Sequence, residues 1–156
     1  HDDGRWHMLV TARARGTGRV ADVRRSGVIG HAVSDDLDHW EVLPPLTGPS
    51  VFGQLEVSQS RTVQGRHLLV FSCGQDMQAE PGPGGVWVAE GDGPLGPWDI
   101  DRARYVRPEH LYAGQVLRLR DGEWVLTGFA DVVDGAFVGG VPDPVPWHEV
   151  RLVEPD

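Results

Sequence analysis

A threefold repeat constrains the fold of this chain more than any other feature of its sequence. A turn signal occurs as Asp-Gly-Arg-Trp at residues 3–6, Gln-Gly-Arg-His at 64–67 and Asp-Gly-Glu-Trp at 121–124. Each copy leads into an apolar stretch. Self-similarity at a fixed period is typical of folds that array one supersecondary unit several times. The sequence therefore predicts one unit used three times along 156 residues.

Each repeat continues in the same order after its first apolar stretch. The second apolar runs are residues 27–30, 85–88 and 136–139. The acidic or Pro-rich turns that follow lead to Trp40, Trp98 and Trp147. No helical period is sustained, and 21 Gly and 12 Pro interrupt the chain. Short strands at regular spacing, separated by turn residues, indicate an all-β repeat fold.

Four-stranded antiparallel units of roughly 50 to 60 residues are the blades of a β-propeller. A β-sandwich has similar strand spacing, but it does not explain the recurrence of turn, apolar run and Trp. Propellers typically close with ~4 to 8 blades. We therefore expect an all-β chain that forms an arc of a propeller, with residues 1–50, 51–108 and 109–156 as its three blades and the first blade incomplete.

Composition argues against several classes of partner. The chain carries 23 Asp and Glu against 14 Lys and Arg, a formal charge of −9, which disfavours a protein that tracks nucleic-acid phosphates. No apolar run approaches the ~20 residues of a membrane-spanning helix. Cys73 is the single cysteine, and the seven His lack metal-ligand spacing. We expect no nucleic-acid or membrane partner, no metal and no cofactor.

The candidate site lies where the inner strands of the blades begin. In a meander of antiparallel strands, the starts of first strands and the ends of second strands meet at one mouth of the propeller. The predicted inner strands are residues 52–63 and 111–119. The repeat makes Glu56 equivalent to Tyr112 and Gln59 equivalent to Gln115. Gln59 and Tyr112 are therefore candidate substrate-binding residues.

Glu56 is the candidate catalytic residue because it lies between the apolar residues Leu55 and Val57. A carboxyl group in an apolar setting suits a general acid, whereas an ordinary polar residue of an edge strand is the alternative. Arg13 and Asp131 fall at equivalent ends of second strands. Arg13 could bind a hydroxyl or carboxylate of a ligand and Asp131 could accept hydrogen bonds from sugar hydroxyls; a solvated loop charge is the alternative for both.

Four segments of the chain resemble glycoside hydrolase family 32 and its relatives, families 68 and 43. The segments are residues 3–10, 32–41, 55–59 and 111–115, and the resemblance covers nearly the whole chain. Its most specific parts are the Ser-x-Asp-Leu-x-His-Trp turn at 34–40 and the two inner-strand motifs. These families are five-bladed propellers, and the first two act on fructosides.

The resemblance implies roles for two residues. Glu56 matches the general acid/base of the family's Glu-Cys-Pro-Asp motif, although residues 57–59 are Val, Ser and Gln instead of Cys, Pro and Asp. This departure puts sucrose or fructan specificity in question. Tyr112 and Ala113 match a Tyr-Ala segment near the substrate pocket.

The resemblance also implies a position within a longer protein. The family's nucleophilic Asp lies in the first blade, and its Arg-Asp-Pro motif opens the second blade just before a segment like residues 3–10. The chain starts at His1 without Met. We therefore expect residues 1–50 to be part of blade two, residues 51–108 blade three and residues 109–156 blade four.

The predicted function is that of a glycoside hydrolase fragment, β-fructosidase-like, which hydrolyses or transfers the fructosyl unit of a fructoside such as sucrose or fructan. Glu56 would be the acid/base of a retaining mechanism that uses two carboxyl groups. Its nucleophile would lie outside this chain, so we expect the fragment alone to be inactive. The alternatives are a family 43-like arabinosidase or xylosidase and a non-catalytic propeller that binds sugar.

Overall fold

The computed structural model describes residues 3–16, 22–107, 110–133 and 135–154. These residues form twelve strands and four short 3₁₀ turns, without an α-helix among them. The strands are β1 (Trp6–Arg13), β2 (Gly27–Ser34), β3 (Glu41–Leu43), β4 (Glu56–Val63), β5 (Arg66–Cys73), β6 (Gly85–Gly91), β7 (Arg104–Arg107), β8 (Leu111–Arg118), β9 (Trp124–Val133), β10 (Ala136–Gly140), β11 (Val145–Pro146) and β12 (Arg151–Val153). The 3₁₀ turns are Val23–Arg25, Gln75–Met77, Ile100–Arg102 and Trp147–Glu149. Within the described ranges, no helix is long and apolar enough to cross a membrane.

The strands form three antiparallel sheets, which confirms the all-β prediction. Sheet I has the order β1-β2-β3, and sheet II has the order β12-β7-β6-β5-β4. In sheet III, β8 pairs with one edge of β9, while the short strands β10 and β11 share the other edge. Apart from β12, the strands of the three sheets follow one another along the chain, as the repeat predicts.

The glycines of the three predicted turns all have a positive φ angle. Gly4, Gly65 and Gly122 have φ of +79°, +82° and +95°, values that side chains rarely allow. Gly65 lies in the hairpin between β4 and β5, and Gly122 lies in the hairpin between β8 and β9. Gly4 precedes β1, so β1, β5 and β9 are equivalent second strands.

The most specific turn of the first repeat is built around a carboxylate. Asp36 Oδ1 accepts hydrogen bonds from the backbone N–H groups of Asp38 (2.9 Å) and His39 (2.8 Å), and Asp36 Oδ2 lies 2.8 Å from His39 Nδ1. These bonds, led by the one from the His39 backbone, hold the pKa of Asp36 well below its usual range. Trp40 follows, with its Nε1–H donating to the carbonyl of Leu37.

Three features differ from the sequence-based expectations. The inner strand predicted at residues 52–63 begins at Glu56, because Phe52 instead makes an isolated bridge with Gln78. The apolar run at 136–139 does form a strand, but its Phe137 is 74% exposed. Finally, β12 leaves the third repeat and pairs with β7 of sheet II.

Sheet II is packed on both faces. Along β5, Leu69 and Phe71 join a cluster with Trp87 of β6 on one face, while Leu68 and Val70 join a second cluster on the other face. Because successive side chains of a strand point to opposite faces, a strand covered on both sides is a continuous apolar run. The sequence of β5 follows this rule, and sheet II therefore has the environment of a blade stacked between two neighbours.

Candidate functional site

The two inner strands carry a β-bulge at the same repeat position. In β4 the register with β5 slips by one residue between Glu56 and Gln59, and in β8 the register with β9 slips between Tyr112 and Gln115. A bulge bends its strand and re-aims the side chains beside it. The candidate residues Glu56 and Tyr112 thus each stand directly before a bulge, at the start of their strands.

The first bulge residues have unusual backbone dihedral angles. Val57 has φ +49° and Ala113 has φ +52°. The left-handed region is sparsely populated by side-chain-bearing residues, and a β-branched residue such as Val is a clear exception there. Such a conformation persists only when surrounding contacts hold it.

The two bulge glutamines provide such contacts by joining the inner strands. The backbone N–H of Val116 donates to Gln59 Oε1 at 2.8 Å, and Gln115 Nε2 donates to the carbonyl of Val57 at 3.1 Å. Gln59 is buried and lies along a cleft between sheets I and II. The structure thus gives Gln59 a cross-linking contact, and its role in binding substrate stays a prediction.

Glu56 and Tyr112 are in direct contact. The Tyr112 hydroxyl donates a hydrogen bond to Glu56 Oε2. Burial raises the pKa of Tyr112, and the hydrogen bond to Glu56 and the charge of that carboxylate raise it further. The phenol therefore keeps its proton and remains a donor, with its ring packed against Phe129 at a centroid distance of 5.8 Å.

The two chain neighbours of Glu56 differ in exposure. Leu55 is fully buried, whereas Val57 is 49% exposed. Two residues distant in sequence are placed beside Glu56: Tyr112 of β8, and Ser72 of β5, which pairs directly with Glu56 in the sheet. Ser72 was not a candidate from sequence, because only the register of the bulged hairpin places it beside Glu56.

The contact between the two strands depends on a glycine. Gly114 is buried in β8, and a Cβ atom there would lie 2.6 Å from a methyl group of Val86 in sheet II. The missing side chain lets β8 lie close against sheet II. Tyr112, two residues earlier, is thereby brought to Glu56.

We expect Gly114→Ala to destabilise the fold by about 1–3 kcal/mol, because the added methyl group must displace Val86. Gly48→Ala is the matched control, since a Cβ at Gly48 meets no atom within 4 Å and should change the free energy of unfolding by less than about 0.5 kcal/mol. Urea unfolding of both variants tests this expectation. Equal stability losses in the two variants would contradict the assigned role of Gly114.

A cleft of about 580 Å³ opens where β5 and β9 end. Its walls include Gly74 and Asp131, which occupy equivalent repeat positions near the ends of second strands. Tyr112 and His110 also line the cleft. The backbone N–H of Asp131 donates to the carbonyl of His110 at 2.9 Å, which ties the end of β9 to the start of β8. The volume lies within the range of small-molecule sites.

Arg13 lies at the end of β1 and faces the segment before Glu56. Its Nε donates to the carbonyl of Gly53 at 3.2 Å, and its Nη2 donates to Gln54 Oε1 at 3.3 Å. The structure therefore places Arg13 between sheets I and II, outside the walls of the 580 Å³ cleft. Glu56, Tyr112 and Asp131 form the central group of candidates, with Arg13 beside it.

No group of three or more His, Cys, Asp or Glu side chains in the described ranges is placed to hold a metal ion. Cys73 follows Ser72 and is fully buried. Burial raises the pKa of its thiol to about 12, so this cysteine remains protonated.

Comparison with known proteins relates the chain to solved structures only. No family model and no curated protein matches it. An inulosucrase from Halalkalicoccus jeotgali bound to kestose has a TM-score of 0.70 at 21% identity, covering 99% of this chain and 48% of that one. A levansucrase from Gluconacetobacter diazotrophicus has a TM-score of 0.66 at 18% identity, with coverage of 92% and 40%. The catalytic domain of a β-fructofuranosidase from Microbacterium saccharophilum K-1 has a TM-score of 0.52 at 20% identity, with coverage of 86% and 33%.

These similarities establish the fold. The chain has the propeller-type fold of glycoside hydrolases and fructosyl-transferring enzymes, and it spans less than half the length of the matched structures. The predicted propeller architecture thus agrees with that of its structural neighbours.

Proposed function

We propose that this chain is the part of a fructoside-acting glycoside hydrolase or fructosyltransferase that carries the general acid/base, Glu56. The observation that supports this proposal most directly is the hydrogen bond from Tyr112 to Glu56 beside a cleft of about 580 Å³. The fold, shared with an inulosucrase, a levansucrase and a β-fructofuranosidase, points to the same substrate class.

In the proposed mechanism, Glu56 gives its proton to the oxygen of the leaving group as the glycosidic bond breaks. Its carboxylate then takes a proton from the water or sugar hydroxyl that attacks the glycosyl-enzyme. Tyr112 holds Oε2 throughout, since its phenol remains protonated, and stabilises the negative charge that develops on Glu56. Asp131 would accept hydrogen bonds from sugar hydroxyls in the cleft.

The second carboxyl group of a retaining mechanism would come from outside this chain. Thr11 follows its turn glycine by the same number of residues as Ser72 and Phe129 follow theirs, so it occupies the equivalent position in β1. Among the described residues β1 pairs only with β2, and Thr11 Oγ1 donates to the carbonyl of Leu55, next to Glu56. A strand added along this edge would bring a residue toward Glu56.

This arrangement agrees with the proposed division of the chain into part of blade two (1–50), blade three (51–108) and blade four (109–156). A retaining enzyme holds its two carboxyl groups ~5 to 5.5 Å apart, and one of them acts as nucleophile. The chain alone is accordingly proposed to bind sugar without turning it over.

Binding of sugars to the chain tests the proposed substrate class. In ¹⁵N NMR titrations, sucrose and fructan oligomers are expected to shift the amide signals of Gly74, Tyr112 and Asp131, whereas arabinan and xylan oligomers are not. Asp131→Asn should weaken fructoside binding about tenfold, because a carboxylate acceptor is lost. Asp92→Asn, in an exposed turn after β6, is the matched control and should leave binding unchanged. Shifts with arabinan or xylan alone would replace the fructoside proposal, and no shift with any sugar would contradict it.

A further inference from the structure

Ser72 carries a buried hydroxyl group that has no hydrogen-bond partner among the residues the structure describes. Its side chain is fully buried, and Oγ makes no hydrogen bond to the described residues. Leaving a buried polar group unpaired is costly, and such groups in native proteins call for a physical explanation. The hydroxyl is flanked in sheet II by apolar residues such as Val70 and Val86, which offer it no side-chain acceptor.

The residue directly across the sheet from Ser72 is Glu56. Directly opposed side chains of an antiparallel pair lie on one face, with Cβ atoms roughly 4.5–5.5 Å apart. A Ser side chain has three staggered rotamers that direct its hydroxyl to different neighbours. Rotation about one bond can therefore redirect the Ser72 hydroxyl toward the Glu56 carboxyl group.

Glu56 has an acceptor oxygen that could receive this hydrogen bond. Tyr112 donates to Oε2, and no hydrogen bond from the described residues reaches Oε1. An ionised carboxylate has two acceptor oxygens with about four lone-pair sites, whereas a protonated carboxyl group needs fewer donors. An unused donor and an unused acceptor thus occupy adjacent positions on the same face of sheet II.

We propose that Ser72 is a positioning residue for Glu56: its hydroxyl turns to donate to Oε1 when Glu56 is ionised, so that Ser72 and Tyr112 together hold both carboxylate oxygens. When Glu56 gives its proton away, the Ser72 hydroxyl donates a hydrogen bond to the negatively charged Oε1. When the proton returns, the hydroxyl is released. The catalytic meaning of this switch rests on the proposed function, but the ionisation of Glu56 can be measured without turnover.

Other titratable and charged groups lie near Glu56 in this part of the mouth. They influence Glu56 whether or not the Ser72 hydroxyl donates to it. They are Arg13 of β1, Cys73 of β5, Asp76 in the following 3₁₀ turn, His110 and Tyr112 at the start of β8, and Asp131 of β9. The test must therefore change the Ser72 hydroxyl and leave these groups in place.

The test is a ¹³C NMR titration of the Glu56 carboxyl carbon in this chain, with and without the Ser72 hydroxyl. Ser72→Ala should raise the pH midpoint of Glu56 titration by about 0.5 to 1 unit, a roughly three- to tenfold gain in proton affinity, because a donor to the charged form is lost. Ser72→Thr keeps the hydroxyl and should restore the original midpoint. Ser58→Ala removes another buried hydroxyl without a partner in the described ranges, from the bulge of β4, and should leave the midpoint unchanged.

An unchanged or lowered midpoint in Ser72→Ala would overturn the proposal, as would an equal rise in Ser58→Ala. If Ser72→Thr disturbs the packing of the fold, Ser72→Cys gives a similar shape with a weak donor and should reproduce most of the Ser72→Ala shift. These outcomes do not depend on fructoside binding, so a failure of the sugar titrations and a failure of this proposal are separate results.

Discussion

Replacing Glu56 with Gln is expected to lower fructoside turnover by about 10²–10⁴-fold in the enzyme that contains this chain, while the unfolding transition stays close to that of the unaltered protein. The amide of Gln can still accept the hydrogen bond that Tyr112 donates to Glu56. It cannot deliver a proton to the leaving group. Steady-state kinetics with sucrose, together with urea unfolding, measure the two effects.

A substrate with an activated leaving group sharpens this experiment. A nitrophenyl fructoside needs little protonation of its leaving oxygen, so Glu56→Gln should slow its cleavage much less than that of sucrose. Glu90→Gln is the control, because Glu90 pairs with Arg66 and Arg104 at accessible strand ends of sheet II. Equal losses for both substrates, or full activity with sucrose, would show that Glu56 is not the proton donor.

Trp87→Ala is expected to cost about 3–5 kcal/mol of folding stability, which is a large fraction of what a small domain has. Trp87 is 1% exposed, and its ring makes edge contacts with Phe52 (5.0 Å) and Tyr105 (5.4 Å). Trp6→Ala removes the same side chain from a position that is 53% exposed and should cost less than about 1 kcal/mol.

Urea unfolding monitored by circular dichroism compares the two Trp variants. The indole N–H of Trp87 has no hydrogen-bond partner among the described residues, so Trp87→Phe should retain most of the stability that Trp87→Ala loses. Similar losses for Trp87→Ala and Trp6→Ala would mean that the cluster of buried residues around Trp87 does not anchor the fold.

The repeat made most of the architecture predictable from sequence. Glycine at 4, 65 and 122 is favoured because the turn needs positive φ, and burial on both faces makes β5 a continuous apolar run. Both signals are local, so they can be recognised without any knowledge of the tertiary fold. They establish strands, hairpins and order, and they place Glu56 and Tyr112 at strand starts.

The site itself was less predictable because it depends on the bulges. Counting outward from the hairpin, in which Val63 pairs with Arg66, would place Cys73 opposite Glu56. The bulge shifts the register by one residue and places Ser72 there instead. A slip of one residue exchanges the two faces of a strand, so no reading of chain neighbours could have found the hydroxyl beside Glu56.

Gln59 illustrates the same difficulty for a single side chain. Its repeat equivalence to Gln115 was visible in the sequence, but equivalence does not say whether a polar residue faces solvent or another strand. The backbone N–H of Val116 accounts for its amide oxygen. That partner comes from a different repeat, and its position depends on how closely Gly114 lets the two sheets approach.

The pairing of β12 with β7 means that the repeats of the sequence are not the units of folding. A protein cut at the boundary near residue 109 would strip β7 of its outer partner and expose a row of backbone donors and acceptors. The third repeat therefore supplies the edge strand of the second repeat's sheet, and the two repeats depend on each other for a complete set of strand pairings. A gene that gained or lost one copy of this unit would change the number of strands. It would also have to provide a new partner for the strand that β12 now covers.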